Sequence, residues 1–245
     1  MIRDANEAFC RFCRGNKFSV AAQDAGKSKE RADFMQVLSH RGYWKTAEEK
    51  NTEIAFTRSF TLGFGTETDV RDWNGQLVIS HDPPTGQPML LETFLTLYKK
   101  HGDGLPLALN VKADGLQKSL LSALEANNVR NYFVFDMSVP DTLLYLNLGM
   151  NVFTRHSEYE PNPAFYEIAK GVWMDCFEGD WMTDNDILSH LKANKQVCLV
   201  SPDLHKREHF SFWNAILAWK LHRENHLLLC TDNPEQAREF FHEEY

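Results

Sequence analysis

The chain has 245 residues, 43% of them hydrophobic and 24% charged, enough for one large core of ordinary soluble composition. With 26 Lys and Arg against 34 Asp and Glu the formal net charge is −8, which excludes a broad basic footprint for nucleic acid. No stretch approaches the ~20 apolar residues of a membrane span and the N-terminus has no apolar signal core, so a cytoplasmic protein without stable membrane insertion is expected.

Residues 1–34 are mixed in charge and weakly periodic, and read as a helical or loop extension. Gly26-Lys27-Ser28 echoes the end of a phosphate-binding loop, but Ala21 stands where its first glycine belongs. Cys10 and Cys13 have CxxC spacing without a second pair to complete a zinc set, and five cysteines cannot all pair. Cys176, Cys198 and Cys230 fall in apolar runs, where a thiol acts as a small core hydrophobe.

From residue 35 short apolar runs alternate with longer amphipathic ones. Strands are expected at 35–39, 65–70, 105–111, 132–136, 151–154, 171–175, 196–200 and 226–230. Helices are expected near 51–62, 91–101, 115–127, 140–148, 162–169, 184–194, 209–224 and 233–243. Pro140-Asp141, Thr183-Asp184 and Asp232-Asn233-Pro234 supply capping side chains or first-turn prolines. Asn74-Gly75 marks a hairpin whose second arm is 76–80. Strands joined by helix-length connections pair in parallel. Eight such units over residues 35–245 point to a single (β/α)8 barrel with a small hairpin inserted after its second strand; an open doubly wound sheet is the competitor.

In a parallel barrel the reactive groups sit where strands end. The first ends in His40-Arg41-Gly42, the second in Glu67-Thr68-Asp69, the hairpin in Ser80-His81-Asp82 and the third in Asn110-Val111-Lys112. Alternation along a strand points Glu67 and Asp69 one way, and Asn110 and Lys112 one way. Two carboxylates and an amide oxygen at one mouth are a hard donor set suited to Mg²⁺ or Ca²⁺ rather than zinc. Taken singly, each carboxylate is better explained as a solvent-facing strand position or by pairing with Arg41 or Arg71, and each histidine by a surface or hydrogen-bonded structural role. It is their combination at neighbouring strand ends that points to chemistry.

His40-Arg41-Gly42, Asn51-Thr52 with Ala55-Phe56, Glu67-Thr68-Asp69-Val70 and Leu77-Val78-Ile79-Ser80-His81-Asp82 together resemble the glycerophosphodiester phosphodiesterases. More broadly they resemble the phosphatidylinositol-specific phospholipase C superfamily, and Thr231-Asp232-Asn233-Pro234 is similar to the TDxP after that family's last strand. The likeness runs from residue 37 to about 236, densely before 113 and sparsely after. It implies a metal-dependent phosphodiester hydrolase with His40 and His81 as acid and base, Arg41 and Lys112 on the phosphate, and Glu67, Asp69 and Asn110 on a divalent metal. The expected partner is a small phosphodiester or lipid head group. Two positions depart from the family: Lys50 precedes Asn51 where the family has Glu, and Asn110 stands where it usually has Glu. An Asn ligand also occurs in the superfamily's calcium-dependent phospholipases C. Two other readings remain: a phospholipase, for which Trp181-Met182 and His205-Lys206-Arg207 could form a membrane-facing rim, and a non-catalytic barrel binding a phosphorylated ligand. Asp136, Arg155, Asp175, Asp203 and His205 are expected to shape the pocket for the alcohol.

Overall fold

The computed structural model describes residues 34–242; the expectations for 1–33, including the Cys10/Cys13 pair, lie outside it. In chain order the strands and helices are β1 (Gln36–His40), α1 (Glu53–Thr61), β2 (Gly65–Trp73), β3 (Gln76–Ile79), β4 (Met89–Leu90), α2 (Leu91–His101) and β5 (Leu107–Val111). There follow α3 (Gln117–Ala126), β6 (Tyr132–Phe135), α4 (Val139–Asn147), β7 (Phe153–His156) and β8 (Gly171–Met174). The last elements are α5 (Asp184–Lys192), β9 (Gln196–Val200), α6 (Phe210–Ala218), β10 (Leu227–Thr231) and α7 (Pro234–His242).

Eight of these strands are parallel and run β7-β8-β9-β10-β1-β2-β5-β6 across the sheet. β2 continues into the hairpin with β3, which pairs antiparallel from Val70–Ile79 to Trp73–Gln76. Its turn places Asn74 at φ 50° and Gly75 at φ 77°, both left-handed, as a two-residue hairpin requires.

Two expectations are corrected. Between β6 and β7 the described strands form no ladder, only one parallel bridge, Val134 to Val152, so the sheet is not closed by continuous pairing. Asn151 takes the ladder's place there: its carbonyl accepts from Val134 N at 2.8 Å and its Nδ2 donates to Tyr132 O at 3.1 Å. The helix expected at 162–169 is a run of turns. Pro161 and Pro163 remove two backbone donors, and Phe165 sits at φ 56°, which ends any helical path.

The core divides by face. One layer, including Phe56, Phe94, Leu95, Leu107 and Leu120, packs α1 to α4 on the sheet's outer side. A second, including Val197, Leu199, Trp213 and Ile216, does so for α5 to α7. The inner face carries Leu38, Ala108, Phe133, Phe135, Phe153, Trp173, Cys198, Val200, Leu228 and Cys230. These side chains fill the floor beneath the strands' carboxyl ends. Cys176, Cys198 and Cys230 are free and buried, and burial pushes the thiols of Cys198 and Cys230 far up, leaving them inert. Among the described residues no helix is long and apolar enough to cross a membrane.

Candidate active site

The site begins with the turn that ends β1. Ser39 Oγ lies 2.7 Å from both Ser59 Oγ of α1 and Thr66 Oγ1 of β2, a buried hydroxyl latch across three elements. Thr66 Oγ1 also accepts from Gly42 N at 3.1 Å, drawing the chain down after His40. Arg41 (φ 58°) and Gly42 (φ 79°) make a left-handed pair; a Cβ on Gly42 would stand 2.9 Å from Ala55. A side chain at residue 42 would therefore push the arginine off its place.

His40 is nearly buried and its Nδ1 lies 2.7 Å from Asp232 Oδ1, just after β10. With the proton on Nδ1 facing that carboxylate, Nε2 is left as the accepting nitrogen, 3.9 Å from Glu67 Oε2. Asp232 is itself placed by its backbone N–H, which donates to Asp203 Oδ2 at 2.7 Å.

Glu67 and Asp69 share the face that alternation predicts, and Asp69 pairs in register with Asn110 on β5. Glu67 is 2% exposed and Asp69 0%. Burial, and then the neighbouring Asp69, push the Glu67 carboxyl up to about 7, against the pull of His40, Arg41 and Lys112. Asp69 is the most heavily countered anion: Arg41 Nε lies at 3.1 Å, Lys112 Nζ at 3.6 Å, and Asn51 Nδ2 donates to it at 2.8 Å. Lys112 also reaches Asp136 at 3.5 Å, and Asp136 pairs with Arg155 at 2.8 Å.

Two buried oxygens in this group, Asp69 Oδ1 and Asn110 Oδ1, have no hydrogen-bond donor. Lys112 Nζ, 3.6 Å from Asp69 Oδ1, offsets that oxygen's charge, while a buried acceptor left unpaired, as at Asn110 Oδ1, costs about 1–3 kcal/mol. The donor set, two carboxylates and an amide oxygen, fits a hard divalent ion whose remaining ligands would be water or substrate. Among the described residues no three His, Cys, Asp or Glu converge in a group that could hold a metal ion.

The groups of this mouth open into a cavity of about 200 Å³ lined by His40, Arg41, Glu67, Asn110, Asp136 and Asp175 together with Trp173, Leu204 and His205. His81 is not among the lining residues. The backbone of Ser80 is fastened to Asp69 O at 3.0 Å, but the next residue turns outward: the His81 side chain is 42% exposed and its Nδ1 lies 2.9 Å from Asp82 Oδ1. The structure thus brings together His40, Arg41, Glu67, Asp69, Asn110 and Lys112, and leaves His81 at the rim.

Two site features were not read from the sequence as such. Asp232 stands in the sequence as a helix-start signal and within a TDxP string, and its bond to His40 comes from the fold. His205 Nε2 lies 2.7 Å from Asp175 Oδ1, a His–carboxylate pair contributed by residues far apart in the chain. The Trp181-Met182 rim is packed instead: Met182 is buried, Trp181 donates to Asp175 O at 2.8 Å, and Arg207 is tied to Asp180 and Cys176 O.

No protein-family profile matches the sequence, and no curated protein matches it. Solved structures do. An Oleispira antarctica phosphodiesterase, in complex with the product sn-glycerol-3-phosphate, superposes at a TM-score of 0.60 with 14% identity, over 84% of this chain and 96% of that one. A glycerophosphodiester phosphodiesterase from Agrobacterium tumefaciens does so at 0.59 and 14%, over 82% and 97%. A Ca²⁺-dependent phosphatidylinositol-specific phospholipase C from Streptomyces antibioticus follows at 0.51 and 8%, over 85% and 96%. The mixed α/β architecture is that of this class of structures. Within it, the chain carries the fold of the glycerophosphodiester phosphodiesterases.

Proposed function

We propose that this protein hydrolyses a small phosphodiester, such as a glycerophosphodiester, releasing an alcohol and a phosphomonoester. The observation that carries this reading is the Asp232-held imidazole of His40 above a buried, partly unsatisfied oxygen set flanked by Arg41 and Lys112. The fold likeness to a phosphodiesterase holding sn-glycerol-3-phosphate supports it. The architecture that goes with this function is a (β/α)8 barrel whose β6–β7 seam carries one backbone bridge, Val134–Val152, in place of a ladder.

Hydrolysis of a phosphodiester builds negative charge on the phosphoryl oxygens and on the leaving oxygen, and needs a base for the nucleophile. His40 Nε2 takes the proton of the attacking water or of a hydroxyl beside the ester. Asp232 holds the tautomer that leaves this nitrogen free and stabilises the imidazolium that forms. Arg41 offers a planar cationic fork suited to phosphate, and Lys112 a second positive charge. A Mg²⁺ or Ca²⁺ ion held by Glu67, Asp69 and Asn110 would supply positive charge against a non-bridging phosphoryl oxygen. The family resemblance gives the second proton transfer to His81.

The test is a screen of glycerophosphodiesters and lysophospholipids with Mg²⁺, Ca²⁺ or excess chelator. Cation-dependent release of alcohol from a glycerophosphodiester is expected. Turnover of lysophospholipids alone would move the assignment to a phospholipase, and no turnover with retained ligand binding would make the protein a binding barrel.

A further inference from the structure

Lys50 is the position at which this chain exchanges the family's Glu for the opposite charge, and the fold sets it beside the His40–Asp232 pair. The residue after it fixes where it stands. Asn51 takes the left-handed conformation at φ 60°, and its N–H donates to Arg41 O at 2.9 Å. Its side chain accepts from Thr68 Oγ1 and donates to Asp69 Oδ2, both at 2.8 Å. The backbone at residue 50 is thereby tied to β2 and to the turn that follows His40, independently of the lysine's own side chain.

That side chain lies between two groups that hold His40. Its Nζ is 4.3 Å from the centre of the Trp44 ring, within reach of a cation–π contact, and 3.8 Å from Asp232 Oδ2. Trp44 Nε1 donates to His40 O at 3.1 Å, and Asp232 Oδ1 is the oxygen 2.7 Å from His40 Nδ1. The lysine side chain is 27% exposed and the aspartate 14%, so water screens the pair only in part.

Among the described residues the ion pairs of Asp232 are with His40 and Lys50, one on each carboxylate oxygen. Asp232 also lines a second cavity, of about 350 Å³, together with Tyr43, Trp44 and Lys45. A carboxylate bordering open space can turn about its Cβ–Cγ bond and carry Oδ1 off the imidazole. A cation near Oδ2 opposes that turn, and an anion there would promote it. Placement on this scale matters to a general base, because misplacement by about 1 Å costs much of the rate.

Resting on the phosphodiesterase reading, we propose that Lys50 is a positioning residue for His40: its ammonium holds the second oxygen of Asp232, so that the first stays on the imidazole. Lys50 acts through Asp232 and not on the substrate.

The experiment measures kcat and KM on glycerophosphoethanolamine, with Mg²⁺ or Ca²⁺ present, for Lys50→Gln, Lys50→Glu and Lys50→Arg. Each is made in the parent and in the Asp232→Asn protein, which closes a double-mutant cycle. In the parent, Lys50→Gln should lower kcat roughly three- to thirtyfold at unchanged KM, and Lys50→Glu should lower it further. Lys50→Arg, which keeps a cation over the indole, should stay within about twofold of the parent. In the Asp232→Asn background all three should equal that background, since the carboxylate they act on is gone. Proton NMR adds a readout that needs no turnover. The His40 Nδ1–H signal, assigned by its loss in His40→Asn, should move upfield or weaken in Lys50→Gln and Lys50→Glu and persist in Lys50→Arg. A rise in KM matching the fall in kcat, losses that persist in the Asp232→Asn background, or an unchanged proton signal in Lys50→Glu would each overturn the assignment. A parent that cleaves no phosphodiester sinks the functional reading instead, and the proton signal then decides by itself whether Lys50 holds the pair.

Discussion

Asp69 and Asn110 stand opposite each other across the β2–β5 ladder, and each keeps one buried side-chain oxygen without a hydrogen bond. Lys112 Nζ stands 3.6 Å from the Asp69 oxygen, so its charge is offset, while the Asn110 oxygen is the neutral acceptor of the two.

From this follows a metal prediction. Asn110→Asp adds a charge and should tighten Mg²⁺ or Ca²⁺ binding. Asn110→Leu removes the oxygen at similar volume and should weaken it, as should Glu67→Gln. Calorimetric titration and the cation's effect on thermal unfolding read this out, since a cation at ~100 times its Kd stabilises by about 2.7 kcal/mol. An Asn110→Leu protein with the parent's affinity would reduce Asn110 to a packing residue.

Asp232→Asn should leave the fold intact and cut turnover by roughly 10²–10⁴-fold, because the amide no longer selects the His40 tautomer with its accepting nitrogen toward the cavity. Substrate KM should change far less than kcat. A variant with normal kcat would remove Asp232 from the chemistry.

A pH prediction comes from outside the site. His190 bonds His156 at 3.0 Å and the Tyr166 hydroxyl at 2.9 Å, and burial followed by repulsion from His156 lowers its pKa to about 4. Burial lowers His156 as well. The unfolded chain therefore binds protons here below the usual ~6.5 that the folded chain refuses, so stability is full above that pH and falls as pH drops toward 4. Unfolding midpoints measured across this window should decline, and His190→Gln should flatten the decline. An unchanged slope would place the sensitivity elsewhere.

Gly42→Ala should destabilise by about 1–3 kcal/mol, from the left-handed φ of 79° and the 2.9 Å approach to Ala55. It should also raise KM by displacing Arg41. Denaturant titration beside steady-state kinetics separates the two effects. A stable variant with normal KM would show that the turn adapts.

The eight parallel strands could be read because each is a short apolar run bounded by polar or turn residues, and the hairpin because Asn74-Gly75 suits two left-handed positions. The failed helix at 162–169 shows the limit of spacing: Phe165, Ile168 and Ala169 fall at helical intervals, yet the flanking prolines decided the path. Within the site, positions along a strand were legible, since alternation fixes which side chains face together. Contacts made by loops were not. Asp232 on His40, and Asp175 on His205, depend on where two turns meet in space, and the orientation of His81 depends on its own rotamer beside Asp82.

The junction between β6 and β7 carries a different lesson. Elsewhere the sheet is held by backbone pairing, which no substitution short of proline can remove. Here backbone pairing shrinks to one bridge, Val134–Val152, with the Val134 N–H on Asn151 O, and side chains add the rest: the Phe133 and Phe153 rings stacked 3.7 Å apart, the Asn151 amide, and the Asp136–Arg155 ion pair at the mouth. Stiffness there is encoded in replaceable parts, so point mutation or salt can loosen the rim beside Lys112 without touching any catalytic group. A protein built this way can adjust the width of its entrance by small evolutionary steps while the rest of its frame stays fixed.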